Sequence, residues 1–377
     1  MKASRLLILA AAAVLVTGAP ALAFHDGGVA ACNGCHTMHN SQNGQPMNFN
    51  AAGTGPGLPV GQGYTDLLLF SNKSDVCIRC HQGTRSYSVW SADPKAPNVS
   101  IANRGGGDFV FLQETNINDG HGGATNPILG YAAGHSVVSG IKNTVADPVN
   151  TTAPGGTFAA ADLACTSCHD PHGTASYRLL YQDGQRVDTA LYTSTIVAEG
   201  IRLTTTNGQE TKTNHNAYHG GYSGWCGTCH GNFHQRSSNL IHPSGESLGS
   251  AIAAAYNLYN GTSDCIANPP VGGLPCGSGV AATAYLPEVP FQDPSVTTTS
   301  TAGPTSNSGV ACMSCHRAHA TSAPDAGRWD FNIPGLAEDG HESGSYTIPN
   351  PYDAYQRSLC NKCHSRDEFD EAVDFTP

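Results

Sequence analysis

Charged side chains are scarce in this chain: they make up 12% of its 377 residues, and 29 acidic residues outnumber 18 lysines and arginines. The surplus of negative charge disfavours a nucleic-acid partner, because binding to phosphates requires a basic face. The scarcity of charge also disfavours ordinary disorder, which normally accompanies a high net charge.

Hydrophobic residues are few as well, at 39%, whereas glycine occurs 44 times and proline 23 times. Such a composition does not favour a large core built from side chains alone. We therefore expect another group to fill part of the interior. Beyond the N-terminal region, no segment approaches the ~20 consecutive apolar residues that a membrane-spanning helix needs.

Residues 1–23 have the pattern of a secretory signal peptide. Lys2 and Arg5 form its charged region, residues 6–16 its apolar region, and Ala21-Leu22-Ala23 its cleavage site. Phe24 follows, where a lipid-anchored bacterial protein would have cysteine. We expect a mature protein without a membrane anchor, secreted through the periplasm to the cell surface or beyond. Loss of the two cations would change its formal net charge from −11 to −13.

The cysteines carry the strongest signal, since 12 of the 14 fall into six copies of C-x-x-C-H, the attachment signal of c-type haem. Two thiols at this spacing meet the two haem vinyl groups, and the adjacent histidine then reaches the iron. Chance would supply roughly 0.02 copies of this signal, so we predict six covalently bound c-type haems. The motifs are Cys32-Asn33-Gly34-Cys35-His36, Cys77-Ile78-Arg79-Cys80-His81, Cys165-Thr166-Ser167-Cys168-His169, Cys226-Gly227-Thr228-Cys229-His230, Cys312-Met313-Ser314-Cys315-His316 and Cys360-Asn361-Lys362-Cys363-His364.

Other roles for these cysteines explain the pattern less well. Zinc ribbons use C-x-x-C pairs but do not require a histidine after every second cysteine. A disulfide framework suits an exported protein but leaves the six histidines unexplained. A thioredoxin-like redox motif would occur once, near a βαβ pattern.

The second axial ligand of each iron separates an electron carrier from an enzyme. The six motif histidines are proximal ligands, and 11 of the 17 histidines remain, which is enough to make every haem bis-histidine. Methionine cannot compete, because only Met38, Met47 and Met313 follow the signal peptide. A saturated iron has no site for a substrate, so we predict electron transfer and no catalytic residues.

Four of the remaining histidines follow a proximal histidine by three or four residues: His39, His172, His319 and His234. Residues at this spacing share one face of a helical turn. The porphyrin therefore blocks each of them from the distal face of its own haem, and we expect each to ligate a different haem. Neighbouring haems would then lie in contact, although any one of these residues could instead be a surface histidine.

Two further distal ligands are needed, and we assign them to His135 and His242, which follow weakly charged segments between motifs. A lone histidine in a glycine-rich loop is more often solvated than bound to metal, so alternatives remain. His25 is the first of these, followed by His121, His215, His219 and His341.

The predicted architecture over residues 24–377 is a single hexahaem domain of the multihaem cytochrome c class. It should be mostly coil, with short helices and few strands, organised around a stacked chain of haems. The intervals between motifs are unequal, which excludes a regular repeat array. Short helices are expected at the motifs and over residues 248–259 and 352–363.

Cys265 and Cys276 lie outside the motifs and flank a segment rich in proline and glycine. In an oxidising compartment a disulfide between them is favoured, and it would add roughly 3 kcal/mol through loop closure. Two free thiols are the alternative.

Several segments, in order along the chain, resemble the filament-forming hexahaem outer-membrane cytochromes of metal-reducing bacteria, of the outer-membrane cytochrome S type. The matching segments include Ala23-Phe24-His25, residues 35–40, residues 152–157, Cys168-His169-Asp170-Pro171-His172-Gly173, Trp225-Cys226, residues 315–320 and residues 355–364.

The resemblance implies an extracellular filament, built end to end, with a continuous line of haems in alternating parallel and T-shaped contacts. It also implies that the haem held by Cys312, Cys315 and His316 is completed by His39 of the next subunit. Electrons would pass from periplasmic or outer-membrane cytochromes to acceptors such as metal oxides. The alternatives are a monomeric periplasmic shuttle and, less favoured by the six histidine-ending motifs, a multihaem reductase.

Overall fold

The computed structural model describes residues 32–50, 52, 54–83, 87–92, 105–113, 128–201, 210–234, 244–261, 277–332, 352 and 357–364. Most of these residues lie in irregular segments and 3₁₀ turns. The α-helices among them are α1 (Lys73–Ile78), α2 (Tyr222–Gly227), α3 (Gly231–His234), α4 (Gly249–Leu258) and α5 (Arg357–Cys360). The prediction of a mostly irregular chain with short helices is confirmed.

The strands form two-stranded antiparallel ribbons: β1 (Ser41–Gln42) with β2 (Gln45–Pro46), β3 (Arg186–Val187) with β4 (Ala190–Leu191), and β5 (Val197–Glu199) with β6 (Ala217–Gly220). The first ribbon turns at Asn43 and Gly44, whose φ angles are 49° and 76°. Two residues with positive φ give the turn whose twist matches that of paired strands.

Helix α4 begins and ends close to the expected residues 248–259. Of the helix predicted over residues 352–363, helix α5 covers Arg357–Cys360 and residues 361–363 form a turn, while residues 353–356 lie outside the described part of the chain. Helix α1 is capped by Asn72, whose Oδ1 accepts a hydrogen bond from Ser74 N at 2.6 Å and so satisfies a free backbone donor.

Among the described residues, the side-chain core is divided into two clusters, in agreement with the low hydrophobic content. The smaller cluster contains Ile196, Tyr218, Tyr222, Ala311 and Met313 and joins helix α2 to the fifth motif. The larger cluster joins helices α4 and α5 through aromatic and aliphatic residues that include Trp90, Phe109, Phe111, Tyr256, Tyr285, Leu286, Trp329 and Leu359. Each cluster therefore packs directly against attachment motifs.

None of the helices in the described part of the chain combines the length and hydrophobicity that crossing a bilayer would require. The predicted signal peptide, His25, His121, His242, His341, Cys265 and Cys276 lie outside the described residues.

Candidate haem-binding site

All six C-x-x-C-H motifs close into a single turn that brings two cysteines and a histidine to one side of the backbone. In each motif the histidine N–H donates to the carbonyl oxygen of the first cysteine, at 2.9 to 3.1 Å. The first, third and fifth motifs are 3₁₀ turns: Cys32–Gly34, Cys165–Ser167 and Cys312–Ser314. The second, fourth and sixth motifs lie at helices α1, α2 and α5.

Hydrogen bonds orient the rings of five proximal histidines. The Nδ1 atoms of His36, His81, His169, His230 and His316 lie 2.8 to 3.0 Å from the backbone carbonyl oxygens of Asp66, Tyr87, Arg178, Pro154 and Asp325, respectively. A carbonyl oxygen only accepts hydrogen bonds, so each Nδ1 carries the proton and Nε2 keeps its lone pair. This is the arrangement of an imidazole that ligates a metal through Nε2, and it fits the predicted haem iron.

The three odd-numbered motifs share one further backbone feature, a turn of two consecutive left-handed residues whose first residue supplies the carbonyl acceptor. The acceptor residues have φ angles of 58° (Asp66), 50° (Arg178) and 57° (Asp325). The next residue of each turn is also left-handed, and its carbonyl accepts a hydrogen bond from the residue after the proximal histidine, at 2.7 to 2.8 Å. Non-glycine residues seldom adopt this conformation, so its occurrence at three equivalent places identifies a repeated structural module.

Sulphur atoms of successive motifs lie beside one another. The thiols of Cys77 and Cys165 are hydrogen-bonded, which raises the pKa of Cys77. A hydrogen bond to Cys312 likewise raises the pKa of Cys226. In a haem-loaded chain these sulphurs would be thioethers, so their proximity matters here rather than their titration. The second and third motifs, and the fourth and fifth, therefore meet through their first cysteines.

The other three junctions involve the second cysteine of the earlier motif, which at the last of them lies nearest the first cysteine of the sixth motif. Burial, and after it the neighbouring Cys80, raises the pKa of Cys35. Burial, and then Cys229, raises the pKa of Cys168 to about 12. Burial, and then Cys360, raises the pKa of Cys315 to about 12, with Cys363 also near. The six motifs thus follow one another in space in the order of the chain, with two kinds of junction in alternation.

Two predicted distal histidines lie opposite proximal histidines. The ring centroids of His172 and His36 are 6.1 Å apart with planes at 12°, and those of His135 and His230 are 6.0 Å apart with planes at 56°. A metal ion bound ~2 Å from one nitrogen of each ring would hold the centroids roughly 6 Å apart. The Nδ1 of His135 faces the Ala318 carbonyl oxygen at 2.7 Å, which leaves Nε2 unprotonated. Burial also lowers the pKa of His135 to about 4, so the ring is neutral.

His319 is likewise held as a neutral ring. It stacks on Phe109 with centroids 4.3 Å apart, and its Nδ1 is buried without a hydrogen-bond partner among the described residues. Burial, followed by the charges of His169 and His135, lowers its pKa to about 3. The orphaned nitrogen and the nearness of His169 fit a role as a ligand on the third haem.

The remaining candidates differ in what surrounds them. His39 is exposed, and His234 ends helix α3. His215 has both ring nitrogens facing carbonyl oxygens, at 3.0 Å from Asn216 and 2.8 Å from Ser300. His219 faces the Asp293 carbonyl at 3.2 Å and Glu199 at 3.5 Å. Neither His215 nor His219 presents a free nitrogen to a haem.

Sequence reasoning missed a buried cation inside the sixth motif. Lys362 is fully buried, and its Nζ donates to the carbonyl oxygens of Tyr256 at 2.6 Å and Tyr259 at 3.0 Å. The ammonium also lies 4.2 Å from the ring centroid of Tyr256. Burial lowers its pKa to about 7. Lys362 therefore fastens the sixth motif to the C-terminal end of helix α4, and only its position between two motif cysteines could have drawn attention to it.

A second buried ionic group lies beside the fifth motif. The Oε2 atom of Glu210 is 3.5 Å from Arg317 Nη1 and 3.4 Å from Arg328 Nη1, and all three side chains are buried. Arg328 also donates from Nε to the Met313 carbonyl at 2.7 Å and from Nη2 to Tyr218 Oη at 3.1 Å. Two guanidinium groups thus share one carboxylate next to an attachment motif.

Comparisons with known proteins agree with this site. The family described as the doubled CXXCH motif matches residues 158–187, which include the third motif and His172. The chain is 31% identical to the C-type cytochrome OmcS of Geobacter sulfurreducens, over 96% of this chain and 98% of that protein. It is similar to the solved outer membrane cytochrome S filament of Geobacter sulfurreducens, with a TM-score of 0.69 and 28% identity over 91% of this chain and 100% of the other. A second structure, of OmcS nanowires from the same organism, gives a TM-score of 0.67 at the same identity and coverage.

Proposed function

Because this chain belongs to the family of the c-type cytochrome OmcS, we propose that it is an extracellular hexahaem cytochrome that polymerises into a filament for long-range electron transfer. When bound, each haem supplies a one-electron iron couple. The twelve motif cysteines would attach the haems, and two histidines would hold each iron, which would leave no position for a substrate. The chain is then a conduit rather than an enzyme, carrying electrons from periplasmic or outer-membrane cytochromes to acceptors such as metal oxides.

The assignment of distal ligands follows the repeated module. His172, three residues after the third proximal histidine, pairs with His36 of the first motif, on the strength of the 6.1 Å centroid distance. His319, three residues after the fifth proximal histidine, pairs with His169 of the third motif. In both cases a histidine of one odd-numbered motif serves the odd-numbered motif before it. His135 serves the fourth motif, and His234 and His242 complete the set.

This rule leaves one histidine without a haem and one haem without a second ligand. His39 belongs to the first motif, so the chain has no earlier odd-numbered motif for it to serve. His316 belongs to the fifth motif, and no later odd-numbered motif supplies its partner. We assign the haem of His316 in one subunit to His39 of the next, and the exposure of His39 is the observation that carries this assignment. Such a contact is heterologous and does not close on itself, so it generates a filament.

The junctions between motifs within the chain also indicate which elements would pack together where two subunits meet. Helix α1 packs against the turn of the third motif, and helix α2 against the turn of the fifth. Ser167 and Ser314 in those turns are only 6% and 4% exposed, whereas the equivalent Gly34 of the first motif is exposed. In the filament, the turn at Cys32–Gly34 would pack against helix α5 of the neighbouring subunit.

Negative-stain electron microscopy of the haem-loaded protein tests this proposal, with His39→Ala as the diagnostic variant. His219→Ala is the matched control, because His219 faces oxygen atoms through both ring nitrogens. We expect filaments from the parent and from His219→Ala, and discrete particles from His39→Ala. Discrete particles from all three proteins would instead identify a monomeric periplasmic shuttle, with His39 serving a haem of its own chain.

A further inference from the structure

The segment from Leu286 to Val289 is held between the fifth and sixth motifs. On one side, Arg328 Nη1 donates to the Pro287 carbonyl oxygen at 3.2 Å, while Arg328 N donates to the Cys315 carbonyl oxygen at 2.7 Å. On the other side, Tyr256 Oη donates to the Val289 carbonyl oxygen at 2.7 Å and accepts from Leu286 N at 3.1 Å.

Tyr256 in turn connects this segment to the sixth motif, because its carbonyl oxygen accepts the hydrogen bond of Lys362 Nζ. One arginine and one tyrosine therefore link residues 286–289 to two consecutive haem-attachment motifs. A charge on this segment would act on the haems of both motifs.

Glu288 is the ionisable residue of the segment. Its Oε2 atom is buried and has no hydrogen-bond partner among the residues that the structure describes. Arg328, Glu210 and Arg317 face it from the fifth-motif side, and Tyr256 and Tyr352 face it from the sixth-motif side. Burial raises the pKa of Glu288 and Glu210 adds to this effect, while a hydrogen bond from the residue's own backbone N–H and the two arginines only partly oppose it.

We propose that Glu288 is a redox-linked proton-binding site. When the haem at the fifth or sixth motif gains an electron, the Glu288 carboxylate takes up one proton from solvent; when the electron moves to the next haem, the proton is released. The electron on the haem adds a negative charge, and this charge raises the pKa of a nearby carboxyl group. Proton uptake by the carboxylate then offsets the added charge in the low-dielectric interior. The Glu210 carboxylate, by contrast, is held between the guanidinium groups of Arg317 and Arg328. This inference rests on the proposed haem binding but not on filament formation.

The coupling between haem reduction and protonation of Glu288 determines how the reduction potential changes with pH. At low pH Glu288 is protonated in both redox states, and the reduction potential of the coupled haem does not respond to it. Above the pKa of the oxidised state, reduction takes up a proton, so the potential falls as the pH rises. Above the pKa of the reduced state the carboxylate is ionised in both states and the dependence ends. Because the pKa is raised, this window lies above the usual range of a glutamate.

The experiment is a spectroelectrochemical pH titration of the haem-loaded parent, Glu288→Gln and Glu199→Gln, the last neutralising an exposed carboxylate elsewhere. Haem propionates contribute equally to all three proteins. In the parent and in Glu199→Gln, we expect the equilibrium constant for reduction of one haem to fall roughly tenfold as the pH rises across the window. In Glu288→Gln, we expect no such fall. Identical pH dependence in all three proteins would overturn the proposal.

Infrared difference spectra of the parent give an independent readout. Reduction should produce a carbonyl band of a protonated carboxylic acid that shifts in D₂O. Its absence in the parent, or its persistence in Glu288→Gln, would also contradict the proposal. Haem content, measured on the same samples, separates this outcome from a failure of haem binding itself.

Discussion

At the scale of single residues, the orientation of each imidazole ring carries most of the functional information. A haem ligand must keep one imidazole nitrogen free for the iron, and an acceptor at the other nitrogen fixes the tautomer. His135 and five proximal histidines meet this requirement through Nδ1. His215 and His219 do not, which removes two of the alternative ligands that the sequence had left open.

Loss of one distal ligand should change the spin state of a single haem. In His172→Ala, we expect one haem to pass from low-spin to high-spin while the others stay low-spin, because only the iron bound to His36 loses a strong-field ligand. Electron paramagnetic resonance of the oxidised protein measures this change, with His219→Ala as the control. A wholly low-spin spectrum for His172→Ala would contradict the pairing of His172 with His36.

At the scale of elements, the attachment motifs differ although their sequence pattern is the same. The sequence predicted short helices at all six motifs, but the odd-numbered ones are 3₁₀ turns. Both forms make the same hydrogen bond between the histidine N–H and the first cysteine, so C-x-x-C-H alone cannot distinguish them. The distinction correlates with a second histidine three residues after the proximal one and with the pair of left-handed residues that follows.

The left-handed turns themselves could not have been predicted. Their residues are Asp66-Leu67, Arg178-Leu179 and Asp325-Ala326, whereas positive φ angles are ordinarily signalled by glycine or asparagine. The turns are stabilised by the hydrogen bonds that they accept from the motif, so the cause lies in tertiary contacts. In contrast, helix α4 was predicted nearly in full, because its alanine-rich sequence favours a helix locally.

Substitutions at Asp66 should measure the cost of this conformation. Its φ of 58° is easily adopted by glycine but strongly disfavoured for a β-branched residue. We expect Asp66→Val to lower the stability of the haem-loaded protein by ~1–3 kcal/mol and Asp66→Gly to leave it unchanged or slightly higher. Thermal unfolding followed by circular dichroism compares the two variants, and equal melting temperatures would argue against a strained turn.

At the scale of the whole molecule, the six motifs form one line, joined by five junctions within the chain. The sequence predicted that the haems lie in contact, yet it could not give the alternation of first-cysteine and second-cysteine junctions. That alternation depends on how helices α1 and α2 pack against the turns of the third and fifth motifs. It is therefore a property of tertiary packing and not of motif spacing.

A bulky residue on the turn of the first motif should block polymerisation without disturbing haem attachment. Asn33 is exposed, and its equivalent in the fifth motif, Met313, is only 7% exposed beneath helix α2. We expect Asn33→Trp to yield discrete six-haem particles in sedimentation velocity and electron microscopy. Asn150→Trp, at another exposed position, should still form filaments. Filaments of normal length from Asn33→Trp would exclude this turn from the subunit contact.

The repeated module also bears on how such a conduit could change its length. Each unit consists of an odd-numbered turn, its left-handed acceptor and the even-numbered helix that follows, and each presents the same two kinds of junction to its neighbours. Duplication or excision of one unit would alter the number of haems per subunit by two and keep both ends compatible. The boundary between subunits would then be a break in the polypeptide only, while the path of the electron continues across it unchanged.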